Sequence, residues 1–127
     1  MAGGRTDGLT KNFRAGAAIA PYLILKFGGD DQTLVPATGP GDDLIATNVE
    51  LAANAGERFD AAIGGLPEVR YGGPIGRGKP ITSDASGRAV EALPAAGVRV
   101  RIIGFSLAAG VLNDVLAYRP APGFMTG

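Results

Sequence analysis

The feature that most limits the fold of this chain is its punctuation. Glycine and proline occupy 30 of its 127 positions, and they fall between short apolar runs instead of within one low-complexity tract. The runs cover residues 22–27, 33–35, 44–50, 57–63, 68–71, 80–82, 88–93, 98–106 and 115–119. Between them stand Gly28-Gly29-Asp30-Asp31, Gly39-Pro40-Gly41-Asp42-Asp43, Asn54-Ala55-Gly56, Gly64-Gly65, Gly72-Gly73-Pro74 and Asp84-Ala85-Ser86-Gly87. These residue types supply the backbone angles that tight reversals require, so the pattern reads as strands separated by turns. No window sustains an apolar stripe at helical spacing. The best helix candidate, residues 106–116, contains Gly110 and reads equally well as a loop between two strands.

Period two is explicit in Val98-Arg99-Val100-Arg101-Ile102, where the apolar side chains share one face and both arginines the other. Arg58 and Asp60 alternate with Phe59 and Ala61 in the same way. Residues 84–87 followed by Arg88-Ala89-Val90 predict a hairpin. Many short strands at spacings of about ten residues predict a mainly β fold, a single small β-barrel or sandwich-like domain. Residues 13–119 form that domain. Residues 1–12 are polar and Gly-rich and read as a flexible N-terminal arm, and residues 120–127, with two prolines and two glycines, as an extended C-terminal tail. Phe13, Phe124 and Met125 are then expected as exposed anchors at the two ends.

The 12 basic and 12 acidic residues balance, which speaks against nucleic acid and against polybasic docking on a membrane. The longest uncharged stretch near the N-terminus, residues 15–25, is interrupted by Pro21 and falls well short of a bilayer span. It also makes a poor signal peptide, so synthesis in the cytoplasm is expected. With no Cys and no His, the chain lacks thiol chemistry, thiolate metal sites, the commonest metal ligand and the usual general base. Neither enzymatic activity nor a bound cofactor or metal is expected.

The individual motifs agree. Gly73-Pro74-Ile75-Gly76-Arg77-Gly78-Lys79 follows the phosphate-loop pattern up to its lysine. Pro80 then replaces the Ser or Thr that would bind magnesium, and residues 81–84 read as strand and turn. Asp30-Asp31 and Asp42-Asp43 lack the alternate spacing of a calcium loop and read as turn residues. Ser83 and Ser86 have no histidine to activate them, and Lys79 is wrongly spaced to replace one. Tyr22, Tyr71 and Tyr118 are expected in the core or at an interface. Arg99 and Arg101, projecting together, are either a solvated face or a contact for a carboxylate-bearing partner.

The order of segments is itself informative. Ala15-Gly16-Ala17-Ala18-Ile19 leads into Leu25-Lys26-Phe27-Gly28. Ala55-Gly56-Glu57-Arg58-Phe59-Asp60, Gly72-Gly73-Pro74-Ile75, Pro80-Ile81-Thr82-Ser83-Asp84 and Gly87-Arg88-Ala89 come next, and Val98-Arg99-Val100, Ile103-Gly104 and Pro122-Gly123 close the series. From about Phe13 onward the chain resembles the small capsid cement, or decoration, proteins of tailed bacteriophages and prophages. It departs from their pattern at Lys79, where an acidic residue tends to precede the proline. The resemblance implies a structural protein on the outer capsid surface of the virion that reinforces junctions between major capsid proteins. It implies a homo-oligomer, trimers ahead of dimers, and no catalytic residue. Candidate capsid contacts are Arg5, Lys11, Phe13 and Arg14 in the arm, with Arg99 and Arg101 on the strand face. Deleting residues 1–14 is then expected to leave the β domain folded while weakening attachment. The alternative is a cellular β-rich binding module, carbohydrate-binding or adhesive, for which an aromatic content of 6% is low.

Overall fold

The computed structural model describes residues 8–127, which form ten strands and, among the described residues, no helix. In chain order these are β1 (Thr10–Ala15), β2 (Ile24–Phe27), β3 (Thr33–Pro36), β4 (Ala46–Asn48), β5 (Arg58–Ala62), β6 (Glu68–Arg70), β7 (Pro80–Ser83), β8 (Ala89–Glu91), β9 (Arg99–Ser106) and β10 (Val115–Thr126). The first five close into a barrel in the order β1-β3-β2-β4-β5. The last five make an open sheet in the order β6-β10-β9-β7-β8.

β1 is what closes the barrel. It runs parallel to β3, with Arg14 opposite Thr33, and antiparallel to β5, with Thr10 opposite Ala62 and Phe13 opposite Phe59. Its alternation explains the choice: Phe13 and Ala15 point into the barrel core with Leu25, Leu34, Ala46 and Ala61, while Asn12 and Arg14 face outward. Two expectations are corrected here. Residues 10–12 are strand and not arm, and Phe13 is 3% exposed and not an anchor. Burying an aromatic ring outweighs the polar composition of the residues before it, because closing the barrel removes both free edges of the sheet.

The two layers share a second core. Ile24 and Leu25 are adjacent on β2 and both fully buried: Leu25 fills the barrel, and Ile24 packs outward against Val69, Tyr71, Ile81, Ile103 and Leu116 of the other sheet. β4 repeats the division, with Ala46 in the barrel core and Thr47 turned to the sheet, where its Oγ1 lies 3.2 Å from the Tyr118 hydroxyl. Full burial raises the Tyr118 pKa well above the ordinary phenol value, and the Thr47 hydrogen bond only partly offsets it. Buried Asn48 ends β4. Its Oδ1 accepts from the Leu23 amide at 2.8 Å and its Nδ2 donates to the Ala20 carbonyl at 2.7 Å, which holds the turn where Tyr22 has a φ of 64°. That turn reaches the second sheet, since the Arg70 amide donates to the Tyr22 carbonyl at 2.9 Å.

The hairpin expected at residues 84–87 joins β7 to β8. Asp84 Oδ1 accepts from the amides of Ser86 and Arg88, and Gly87 takes a φ of 79°. The Gly87 carbonyl then accepts the Ile24 amide at 2.7 Å, tying the turn to the barrel. Residues 120–127 are not a free tail, because Gly123 to Thr126 continue β10 along β9 after a bulge at residues 120–123. Gly104 faces that bulge, and a Cβ there would fall on the Arg119 carbonyl.

Candidate interaction surfaces

The register of β9 against β10 builds the first surface. Phe124 pairs with Arg101 and Thr126 with Arg99, so these four side chains share one face of the ribbon. The Phe124 ring, half exposed, carries both guanidinium groups, with its centroid 3.6 Å from Arg99 Cζ and 4.6 Å from Arg101 Cζ. Arg101 is held further by Asp43, at 3.3 Å, and by its amide, which donates to the Pro40 carbonyl at 2.8 Å. Arg99 pairs with no carboxylate among the described residues. The result is a cationic face presented on a stiff aromatic base.

Of the other candidates, Arg5 lies outside the described residues. Lys11 and Arg14 are exposed on β1, and the Lys11 Nζ sits 4.4 Å from the Phe13 ring centroid. Lys11, Phe13 and Arg14 and the Arg99–Arg101 face thus sit on different layers, β1 in the barrel and β9 in the sheet. Phe124, singled out from the sequence as an anchor, joins the arginines only through strand register, which spacing along the chain does not reveal. Met125 lies on the opposite face, across from Val100.

The acidic pairs are turn residues, as expected. Asp30 Oδ1 accepts from the Gln32 amide at 2.9 Å, and that backbone hydrogen bond is the main cause of its lowered pKa. Asp42 is subject to burial, which works to raise its pKa, but the net shift is downward because the Thr38 amide and hydroxyl and the Lys26 ammonium favour the carboxylate. The phosphate-loop-like segment leads into β7 at Pro80, and no helix follows it. Its Gly78 and Lys79 amides are bound by Ser106, which in turn donates to the Gly76 carbonyl at 2.6 Å.

Sequence reasoning missed a second surface, in residues 105–112, which run from the end of β9 into the stretch 106–116 read as helix or loop. Phe105, Leu107, Val111 and Leu112 are all exposed there, although the backbone carrying them is fixed. The buried Tyr71 hydroxyl donates to the Ala108 carbonyl at 2.8 Å, and Gly110 and Ile75 exchange amide–carbonyl bonds at 3.0 Å each. Burial, with a smaller contribution from the Asp114 charge, raises the Tyr71 pKa and keeps that hydroxyl a donor. The only sequence signal was negative: apolar residues with neither period, around a glycine.

No family model and no curated protein matches the chain. Among solved structures, it is similar to the N base of head fiber protein gp8.5 of bacteriophage phi29. The TM-score is 0.67, with 16% identity over 89% of this chain and 93% of that one. At that identity the likeness is one of fold, and it extends over nearly the whole of both chains.

Proposed function

We propose that the chain is a non-catalytic structural protein of a phage head, bound to the outside of the coat shell. On this reading its partner is the major capsid protein and its role is cement, reinforcing junctions between coat subunits. Copies act in symmetric clusters, trimers ahead of dimers. The observation that carries the reading is the near full-length fold likeness to a head fiber base from a phage. The order of sequence motifs supports the same reading. The two surfaces are the kind a binding protein needs, because Arg and aromatic side chains held in place lose little freedom on docking. Many equivalent sites on a shell would turn modest affinity at each into stabilisation of the whole by mass action.

The test is co-sedimentation of the purified protein with empty coat shells of the virus that encodes it, followed by heating of decorated and bare shells. Saturable occupancy and a raised disruption temperature are expected. Absence of binding to intact shells refutes the reading.

A further inference from the structure

Net charge conceals a separation by layer. Residues 8–63, which hold the barrel, carry seven Asp or Glu and four Lys or Arg, whereas residues 64–127, which hold the sheet, carry four and seven. The excess cations of the sheet gather around residues 105–112. Phe105 sits between Pro80 of β7 and Arg119 of β10 in one cross-strand row. Arg77 and Lys79 belong to the neighbouring segment, whose backbone bonds to Ser106 and, through Ile75, to Gly110, and Arg70 Nη1 reaches the Asn113 carbonyl at 3.4 Å. Among the described residues none of Arg70, Arg77, Lys79 and Arg119 forms an ion pair. The nearest acid along the loop, Asp114, is occupied by the Val111 amide at 2.9 Å.

The loop is also built to hold its apolar side chains outward. The Asp114 amide donates to the Val111 carbonyl at 3.1 Å, closing a turn over residues 111–114, and Asn113 has a φ of 70°. Positive φ at the third position is what a type II turn demands, and Asn tolerates it. Leu112 therefore sits at the corner of the turn, 52% exposed, with Val111 beside it. The Asn113 amide is bound in turn by the Tyr71 carbonyl at 2.8 Å. A loop whose backbone is so fully bonded has already lost the freedom that docking would remove.

We propose that residues 105–112, rimmed by Arg77, Lys79 and Arg119, are the surface through which this chain seats on an acidic, apolar patch of a partner protein. Resting on the functional reading above, that partner is the outer face of the coat shell. Charge decides between occupants. A two-fold pairing of two copies through this face would set cations against cations. Head-to-tail pairing onto the acid-rich barrel would meet Asp42 and Asp43 already paired, with Lys26 and Arg101. An acidic partner satisfies both the apolar centre and the basic rim.

Three variants test the assignment in the full chain: Leu112→Glu, the pair Arg77→Glu with Lys79→Glu, and the pair Arg99→Glu with Arg101→Glu. All change exposed or half-exposed side chains, and circular dichroism confirms their folding. Binding to empty coat shells is measured at low and high salt. The first two variants are expected to weaken binding by roughly tenfold or more, the scale of a lost hot spot, and salt to weaken the wild type more than the charge-reversed pair. If the wild type binds but both of these variants bind equally well, the surface is wrongly assigned, and a loss confined to the Arg99 and Arg101 pair moves it to the Phe124 face. If the wild type itself fails to bind, the functional reading fails instead. Self-association of the wild type in sedimentation, abolished by Leu112→Glu without any effect on shell binding, overturns the proposal in favour of a second copy.

Discussion

The contact between Thr47 and Tyr118 offers the sharpest test of how the two layers are held together. Their hydroxyls lie 3.2 Å apart, both side chains are at most 1% exposed, and the surrounding core is Ile24, Val69, Ile81 and Leu116. Tyr118→Phe removes one hydroxyl and leaves Thr47 Oγ1 with no partner in an apolar setting. The lost bond is worth about 1 kcal/mol net, and stranding a buried hydroxyl costs about 1–3 kcal/mol. Thr47→Val has the same consequence on the other side. Each single substitution should therefore destabilise by about 1–3 kcal/mol, lowering Tm by roughly 3–10 °C for a domain of this size. The double variant strands nothing and should cost no more than either single one, a favourable coupling of about 1–2 kcal/mol. Urea unfolding of the four proteins measures this cycle. Additive single effects would refute the claim that one buried hydroxyl pair links barrel and sheet.

Further expectations follow from the same packing. Asn48→Ala strands the Leu23 amide and the Ala20 carbonyl together and should destabilise by about 2–4 kcal/mol in urea unfolding; a loss below about 0.5 kcal/mol would contradict it. Gly104→Ala forces a methyl group onto the Arg119 carbonyl at the bulge, and a clear drop in Tm is expected, whereas an unchanged Tm would show that the bulge relaxes freely. Tyr118 and Tyr71 both have pKa values raised by burial, so the unfolded chain loses its phenol protons first. Stability present below pH 10 should fall as pH rises beyond it, and Tyr118→Phe should flatten the alkaline limb of a pH-dependent melt. Deleting residues 1–14 removes most of β1 and with it Phe13; loss of the β signal in circular dichroism is expected, in contrast to deletion of residues 1–7, which spares that strand.

Much of the fold was legible in the sequence because turns are local. Gly, Pro, Asp and Asn act through their own backbone angles and near neighbours, so the hairpin at residues 84–87, the turn roles of Asp30 and Asp42, and the β class could be read without any tertiary partner. The alternation of residues 98–102 likewise fixed which side chains of β9 share a face. Strand pairing is not local. That residues 10–12 are barrel strand, that Phe13 is core, and that residues 123–126 pair with β9 depend on partners up to 52 positions away, and the same polar or Gly-rich segment would be an arm without them. Register alone placed Phe124 beneath Arg99 and Arg101, and hydrogen bonds from Tyr71 and Ile75 turned an aperiodic stretch into a fixed apolar face. The sequence could name the side chains suited to binding; which of them stand together was decided only when the barrel closed and the sheet packed against it, because that is when distant backbone groups find their partners.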